Sequence, residues 1–277
     1  MAEAGPGLTP YVPGTPRIFA IANQKGGVGK TTTAINLATA LAQIGQRVLL
    51  VDLDPQGNAS TGVGIDRQNR KRGTYAMLID NAAPAGLIQH TDVPNLDVIP
   101  ADPDLAGAEI ELVGFDAREF RLRDSLGTLN ALGYTYIVID CPPSLGLLTL
   151  NGLVAATSVL VPLQCEFFAL EGISQLVRTI ERVKRSLNPA LSLQGILLTM
   201  FDRRNNLSDL VAADARSFFG DRVFTTVIPR NVRVSEAPSH GKPVLLYDSR
   251  SPGAQAYVQL AAELMQREAV LPRGVAA

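Results

Sequence analysis

The chain has no tryptophan, two cysteines and two histidines in 277 residues. Two cysteines, Cys141 and Cys165, cannot build a disulfide framework, which excludes the small stapled secreted folds and suits a reducing compartment. His90 and His240 are too few and too isolated for a histidine metal centre or a triad, and each is expected in a loop. A formal net charge of −1 excludes a uniformly basic nucleic-acid binder, though not a local basic face. No apolar run approaches a membrane span, and the N-terminus lacks a charged-then-apolar secretion signal. Aromatic residues are scarce at 5%; Phe167, Phe168, Phe218 and Phe219 fall at strand ends and on helical faces, so they are expected in the core.

What is present is an ordinary globular composition, 46% hydrophobic, in a chain long enough to bury a substantial core. Residues 1–16 contain Gly5, Pro6, Gly7, Pro10, Pro13, Gly14 and Pro16 with no periodic apolar face, which predicts a disordered tail. From Arg17 onward strand-like runs (18–22, 48–52, 96–100, 136–140, 158–162, 193–199 and 223–228) alternate with helical patterns (30–44, 104–112, 117–131, 145–156, 169–187, 206–219 and 253–268). Several strands are apolar on both sides of the pleat, as in a parallel sheet covered on both faces. The expected fold is therefore a doubly wound, mostly parallel α/β sheet flanked by helices, with active groups at the carboxyl ends of strands. No linker or repeat divides residues 17–270, which read as one domain, leaving 271–277 as a second tail.

Gln24-Lys25-Gly26-Gly27-Val28-Gly29-Lys30-Thr31-Thr32 lies between the first strand and the first helix, the context a phosphate-binding loop requires. Glycines let consecutive backbone N–H groups converge on phosphate oxygens, and the helix N-terminus adds the positive end of its dipole. Lys30 would reach the β- and γ-phosphates and Thr31 would ligate Mg²⁺. Gln24 stands where the usual pattern has its first glycine, and Lys25 adds a second cation.

Two further strands run into acidic loops. Asp52 ends the strand at 48–52, and Asp54 sits just beyond it, where a carboxylate can orient the attacking water. Asp140 ends the strand at 136–140, the Walker-B position, and would steady the Mg²⁺ shell opposite Thr31, through water. Guanine recognition calls for an Asn/Thr-Lys-x-Asp box; Thr199-Met200-Phe201-Asp202 lacks the lysine, so ATP is favoured. Bases outnumber acids between Arg178 and Arg250, an excess able to neutralise phosphates without reading sequence, although a solvated helix face would show the same balance.

These residues resemble the ParA/Soj family of partitioning ATPases, within the deviant Walker-A class that also holds MinD. The resemblance runs through nearly all of residues 17–265. It rests on Ala22–Thr32, Asp52–Asn58, Asp140–Ser144, Val161–Gly172 and Ile228–Arg233. It implies a homodimer that sandwiches two ATP molecules, with Lys25 crossing to the partner's nucleotide and Asp54 positioning water in a loop that responds to loss of the γ-phosphate. It further implies that Pro229 and Asn231 line the adenine pocket. Arg204 and Arg233 match positions that contact nonspecific double-stranded DNA, with Arg203, Lys242 and Arg250 as further candidates. A centromere-binding ParB-like partner that stimulates hydrolysis follows from membership, as does a cytoplasmic, nucleoid-associated location.

Two relatives of this engine use different outputs. A MinD-like membrane cycle needs a basic amphipathic C-terminal helix, whereas 254–271 mixes Glu263, Arg267 and Glu268 with modest apolar bulk and reads as a helix packed on the core. A reductase resembling the nitrogenase iron protein needs cysteines in free glycine loops. Cys141 and Cys165 follow strand ends and read as small buried apolar residues.

Overall fold

The structure, a computed structural model, describes residues 15–166 and 169–269. Short apolar runs and amphipathic segments alternate along it. In chain order the elements are β1 (Arg17–Ile21), α1 (Lys30–Gln43), β2 (Val48–Asp52), α2 (Asn58–Gly62), α3 (Thr74–Leu78), β3 (Gln89–His90), β4 (Leu96–Ile99), α4 (Leu105–Glu111) and α5 (Arg121–Gly127). There follow β5 (Tyr136–Asp140), α6 (Leu147–Ala155), β6 (Ser158–Gln164), α7 (Ala169–Ser186), β7 (Ser192–Thr199), α8 (Asn206–Phe219), α9 (Val232–Glu236), α10 (Val244–Tyr247) and α11 (Pro252–Ala269).

The seven strands form one sheet in the order β3-β4-β2-β5-β1-β6-β7, parallel throughout except for the antiparallel edge pair β3–β4. Every residue of β2 and β5 is buried, as a central strand covered on both faces must be. The two-residue period splits each strand between two cores. Leu49, Val51, Ile137 and Ile139 pack with Leu112, Leu126, Leu148, Leu153 and Ile173 on one side. Val48, Leu50 and Val138 pack with Leu37, Leu41, Leu260 and Leu264 of α1 and α11 on the other. Truncating any of these leucines to alanine removes transfer energy and leaves a cavity, at a cost of about 2–5 kcal/mol.

Parallel strands carry their carboxyl ends to one edge, so β1, β2, β5 and β7 deliver the phosphate loop, Asp52, Asp140 and the Thr199–Met200 turn to a common rim. At the opposite edge Arg17 Nε pairs with Glu268 Oε1 at 3.2 Å, and Tyr136 donates to Glu268 Oε2 at 2.7 Å. Burial raises the Glu268 carboxyl above its ordinary range, opposed by these two partners.

Several expectations are corrected. Residues 223–228 do not form a strand. Phe224 and Ile228 donate to Ile196 and Leu198 of β7, but the Thr225 and Thr226 N–H groups turn to the Glu263 carboxylate at 2.8 Å each. Only isolated bridges, Ile196–Val223 and Phe201–Pro229, remain. Phe218 is 73% exposed rather than in the core. The helix expected over 117–131 is confined to α5 with a 3₁₀ turn at Asn130–Leu132, and His90 lies in a strand. The tails lie outside the described residues apart from Thr15 and Pro16 at one end, and so do Phe167 and Phe168. No helix among the described residues is long and apolar enough to cross a membrane.

Candidate active site

The loop between β1 and α1 takes its shape from glycine. Gly29, the residue before α1, has φ +87°, a left-handed conformation that disfavours residues with a Cβ. The first intrahelical bond runs from Thr33 N–H to the Gly29 carbonyl, so the amides of Lys30, Thr31 and Thr32 precede it at the helix N-terminus. The loop is braced from its neighbours: Thr199 Oγ1 donates to the Val28 carbonyl at 2.9 Å, Asn23 Nδ2 to the Pro162 carbonyl at 2.8 Å, and Gln24 Nε2 to the Gly172 carbonyl at 3.1 Å. Gly26 and Gly27 remain exposed between these anchors.

The two lysines of the loop are differently placed. Lys30 is buried and donates to the Lys25 carbonyl at 2.8 Å. Burial lowers its pKa, while Asp140 and Asp54 draw it back up. Lys25 is exposed and pairs through Nζ with Glu166 Oε2 at 2.5 Å.

The carboxylates divide the work by their partners. Asp52 and Asp140 are paired residues in the β2–β5 register and both are fully buried. Asp52 Oδ2 accepts from Ser60 N–H at 2.7 Å and Ser60 Oγ at 2.6 Å, and Oδ1 accepts from Asp54 N–H at 3.3 Å. Burial nevertheless pushes its carboxyl up to about 6. Neither oxygen of Asp140 has a hydrogen-bond partner of good geometry in the described protein. Burial and the neighbouring Asp52 hold its carboxyl well above the carboxylate range, with the Thr31 hydroxyl and the Lys30 ammonium acting the other way. A buried, unpartnered carboxylate is costly unless a cation or donor meets it.

Among the described residues no three His, Cys, Asp or Glu side chains converge as metal ligands. The donor set at this point is therefore one carboxylate, the Thr31 hydroxyl, and whatever oxygens a ligand and water bring. That set fits Mg²⁺, which keeps several waters and takes one or two carboxylates with phosphate oxygens.

Asp54 is buried, and its Oδ1 accepts from Gln56 N–H at 3.0 Å. The loop carrying it is clamped by a residue that sequence reasoning missed. Arg70 donates to the carbonyls of Gly57 and Ile65 and to Thr61 Oγ1. A Cβ on Gly57 would collide with Arg70 Nη1, and Gly57 has φ +64°, so this close approach requires glycine. Neither Arg70 nor Ser60 carries a motif; they are visible only once α2 folds back toward Asp52.

Beside the phosphate loop lies a cleft of about 410 Å³ walled by Gly29, Thr32, Met200, Pro229, Asn231 and Tyr257, among others. Its volume is in the range of small-ligand sites. Pro229 and Asn231 are thus brought to the loop from some 200 residues away. Met200 turns the chain into this wall at φ +50°, uncommon for a residue with a side chain.

The basic candidates fall into groups. Arg203, Arg204 and Arg230 line a second cleft, of about 630 Å³, which shares Pro229 and Arg230 with the first. Arg204 is 87% exposed and binds Asp202 through two nitrogens, at 3.0 and 2.9 Å. Arg233 pairs with Glu236 at 3.1 Å and Asp248 at 3.5 Å, and the Arg250 N–H also donates to Asp248. Lys242 is exposed in the turn before α10, its N–H bound to the Ala237 carbonyl. Cys141 and Cys165 are buried free thiols, and the apolar side of α11 (Tyr257, Leu260, Ala261 and Leu264) is buried in the core.

Comparison with known proteins places this geometry. A family model described as an AAA domain matches residues 16–193. Over 253 residues the chain is 62% identical to the chromosome partitioning protein ParA of Caulobacter vibrioides, covering 91% of this chain and 95% of that one. Over 248 residues it is 56% identical to the sporulation initiation inhibitor protein Soj of Bacillus subtilis, covering 90% and 98%. Among solved structures, cobyrinic acid a,c-diamide synthase from Mycobacterium smegmatis, with bound ADP and magnesium, superposes with a TM-score of 0.81 at 39% identity, over 92% of this chain and 96% of that one. That protein is named for a different reaction, so its likeness carries the fold, and the two closer sequences carry the kind of protein. With its phosphate loop, paired lysines and strand-end carboxylates, this chain belongs to the ParA/Soj family of chromosome-partitioning ATPases.

Proposed function

We propose that the chain is the ATP-driven switch of a DNA-partitioning system. One domain, spanning residues 17–270, binds ATP at residues 25–32, with the adenine in the cleft walled by Pro229 and Asn231. Thr31 and Asp140 hold Mg²⁺, the latter through water; the ion supplies charge neutralisation at the phosphates. Lys30 binds the β- and γ-phosphates in cis, Lys25 binds the partner subunit's nucleotide, and Asp54 orients water for hydrolysis to ADP and phosphate. The ATP homodimer binds double-stranded DNA without sequence preference through Arg203, Arg204, Arg233, Lys242 and Arg250, and hydrolysis stimulated by a ParB-like centromere-binding protein releases it. The protein then works in the cytoplasm, on the nucleoid.

The observation that carries this reading is the loop's pair of lysines. Lys30 is buried beside Asp140, while Lys25 is exposed and its ammonium pairs with Glu166 instead of being buried in the loop, which supports a role for it at a nucleotide held by another subunit. The test is a DNA-shift assay with ADP, ATP and a non-hydrolysable analogue. A shift with ATP and the analogue, absent with ADP, is expected; a shift indifferent to nucleotide removes the switch.

A further inference from the structure

Asn36 is a carboxamide in the middle of α1, only 2% exposed, in a helix whose Ile35, Leu37 and Ala38 are buried in the core. Asparagine favours helix ends and turns, so a buried one inside a helix calls for partners. It has two. Nδ2 donates to the Thr32 carbonyl one turn earlier, at 2.8 Å, and Oδ1 accepts from Val244 N–H, also at 2.8 Å and 208 positions along the chain. Val244 opens α10, and Pro243 before it has no side-chain acceptor with which to cap that helix. Asn36 supplies the cap from another helix. The turn anchored in this way, residues 241–244, carries the exposed Lys242. Its other flank meets the loop of Asp54: a Cβ on Gly64 would come to 3.3 Å from the Gly241 carbonyl oxygen, so two backbones touch there directly. Gly64 lies in the segment that Arg70 ties together through Gly57, Thr61 and Ile65. We propose that Asn36 is a positioning residue for DNA binding: it registers the Lys242 turn to the helix that begins at the phosphate loop.

The bridge is short and stiff. A planar amide joins the Thr32 carbonyl to the Val244 N–H, and separating them leaves buried polar groups without partners. Thr32 follows Thr31 in the phosphate loop and walls the cleft beside it. At the far end Lys242 is two residues from the bond, and its own N–H is held by the Ala237 carbonyl at 3.2 Å. The backbone that presents its ammonium therefore has little freedom. Lysine meets phosphate as a point charge, so what it contributes depends on where that charge is placed. Given the DNA role of Lys242 proposed above, on which this assignment rests, a displaced turn costs one phosphate contact per subunit. Because Gly241 also abuts Gly64, the loop of Asp54 bears on the same turn from its opposite flank.

The test reads the salt dependence of DNA affinity with a non-hydrolysable ATP analogue. Lys242→Ala should flatten the log–log slope by about two units, at about 0.9 per phosphate in each of two subunits. Asn36→Leu, similar in shape but without polar atoms, should flatten it by a similar amount while binding the analogue within a few-fold of wild type. In the Lys242→Ala background, Asn36→Leu should flatten it no further. Val244→Pro deletes the same bond from its other end, at the first position of a helix, where proline is tolerated, and should match Asn36→Leu. Should Asn36→Leu fail to fold, Val244→Pro with and without Lys242→Ala decides alone. An unchanged slope, flattening that adds to that of Lys242→Ala, or a loss of analogue affinity as large as the loss of DNA affinity overturns the proposal. If the wild type binds no DNA with the analogue, the DNA role itself has failed. Amide exchange at Val244, slow in the wild type and fast in Asn36→Leu, then still decides whether Asn36 holds the turn; equal rates would show that it does not.

Discussion

Asp52 and Asp140 end neighbouring strands in register, both fully buried, and only Asp52 has its carboxylate oxygens hydrogen-bonded. The first has been made part of the scaffold by Ser60. The second is buried beside Thr31 and Lys30, which favour its ionised form against the cost of burial.

Asp140→Asn should therefore separate stability from function. Replacing the buried acid by an amide that cannot ionise is expected to leave the nucleotide-free protein at least as stable as wild type in urea unfolding at neutral pH, because the cost of a buried charge is gone while a buried polar group stays. The same variant should lose the dependence of nucleotide affinity on Mg²⁺. A destabilised variant that keeps its Mg²⁺ dependence would contradict this account.

The acid pair also sets a pH dependence. Asp52 titrates near 6 in the fold and near 3.8 when unfolded, so between these values the folded state holds a proton that the unfolded chain has released. Stability contributed by this group is fully present below about pH 3.8 and is lost as pH rises through 6. The loss is on the order of 3 kcal/mol at most, given 1.36 kcal/mol per unit. Subtracting the stability profile of Asp52→Asn from that of the wild type should expose this falling limb; a rising difference would refute the sign.

Lys25 and Asp54 should fail in opposite directions. Lys25→Ala is expected to abolish dimerisation with ATP while leaving ATP binding to the monomer within a few-fold. Asp54→Ala should instead accumulate the ATP dimer, because water is no longer oriented while the phosphate cradle is intact. Sizing chromatography with ATP distinguishes them, and normal hydrolysis by Asp54→Ala would remove that residue from the mechanism.

For DNA, Arg233→Glu should flatten the salt dependence of the dimer's affinity by about two units in log–log slope or more, since each subunit then neutralises one phosphate fewer, at about 0.9 per phosphate. Asp202→Asn should act the other way. Hydrogen bonds from Arg204 hold the Asp202 carboxyl down to about 2, so this acid competes with phosphate for the same guanidinium. Its removal should strengthen binding at low salt, and weaker binding would show that Asp202 presents Arg204 rather than withholding it.

Much of this was legible in the sequence because long apolar runs and glycine loops have local causes. β2 and β5 announce themselves as buried strands, and their terminal aspartates follow from counting. Pro229 and Asn231 were placed by resemblance alone, since nothing local says that their segment crosses to the phosphate loop. The helices α2, α3, α9 and α10 span four or five residues, too few for a helical period to emerge. Residues 223–228 have the β-branched character of a strand, yet a single carboxylate on α11 captures two of their amides. Phe218 misled for a similar reason: hydrophobicity states a preference for burial, and the helix α8 turns that position to water.

The Arg17–Glu268 pair has a practical consequence. It fastens the beginning of β1 and the last turn of α11 together on the rim remote from the phosphate loop. Both partners of the pair therefore lie on the rim opposite the carboxyl ends of the strands. Breaking this ion pair should loosen the last turn of α11 from β1 while leaving the opposite rim, with its phosphate loop and strand-end carboxylates, undisturbed.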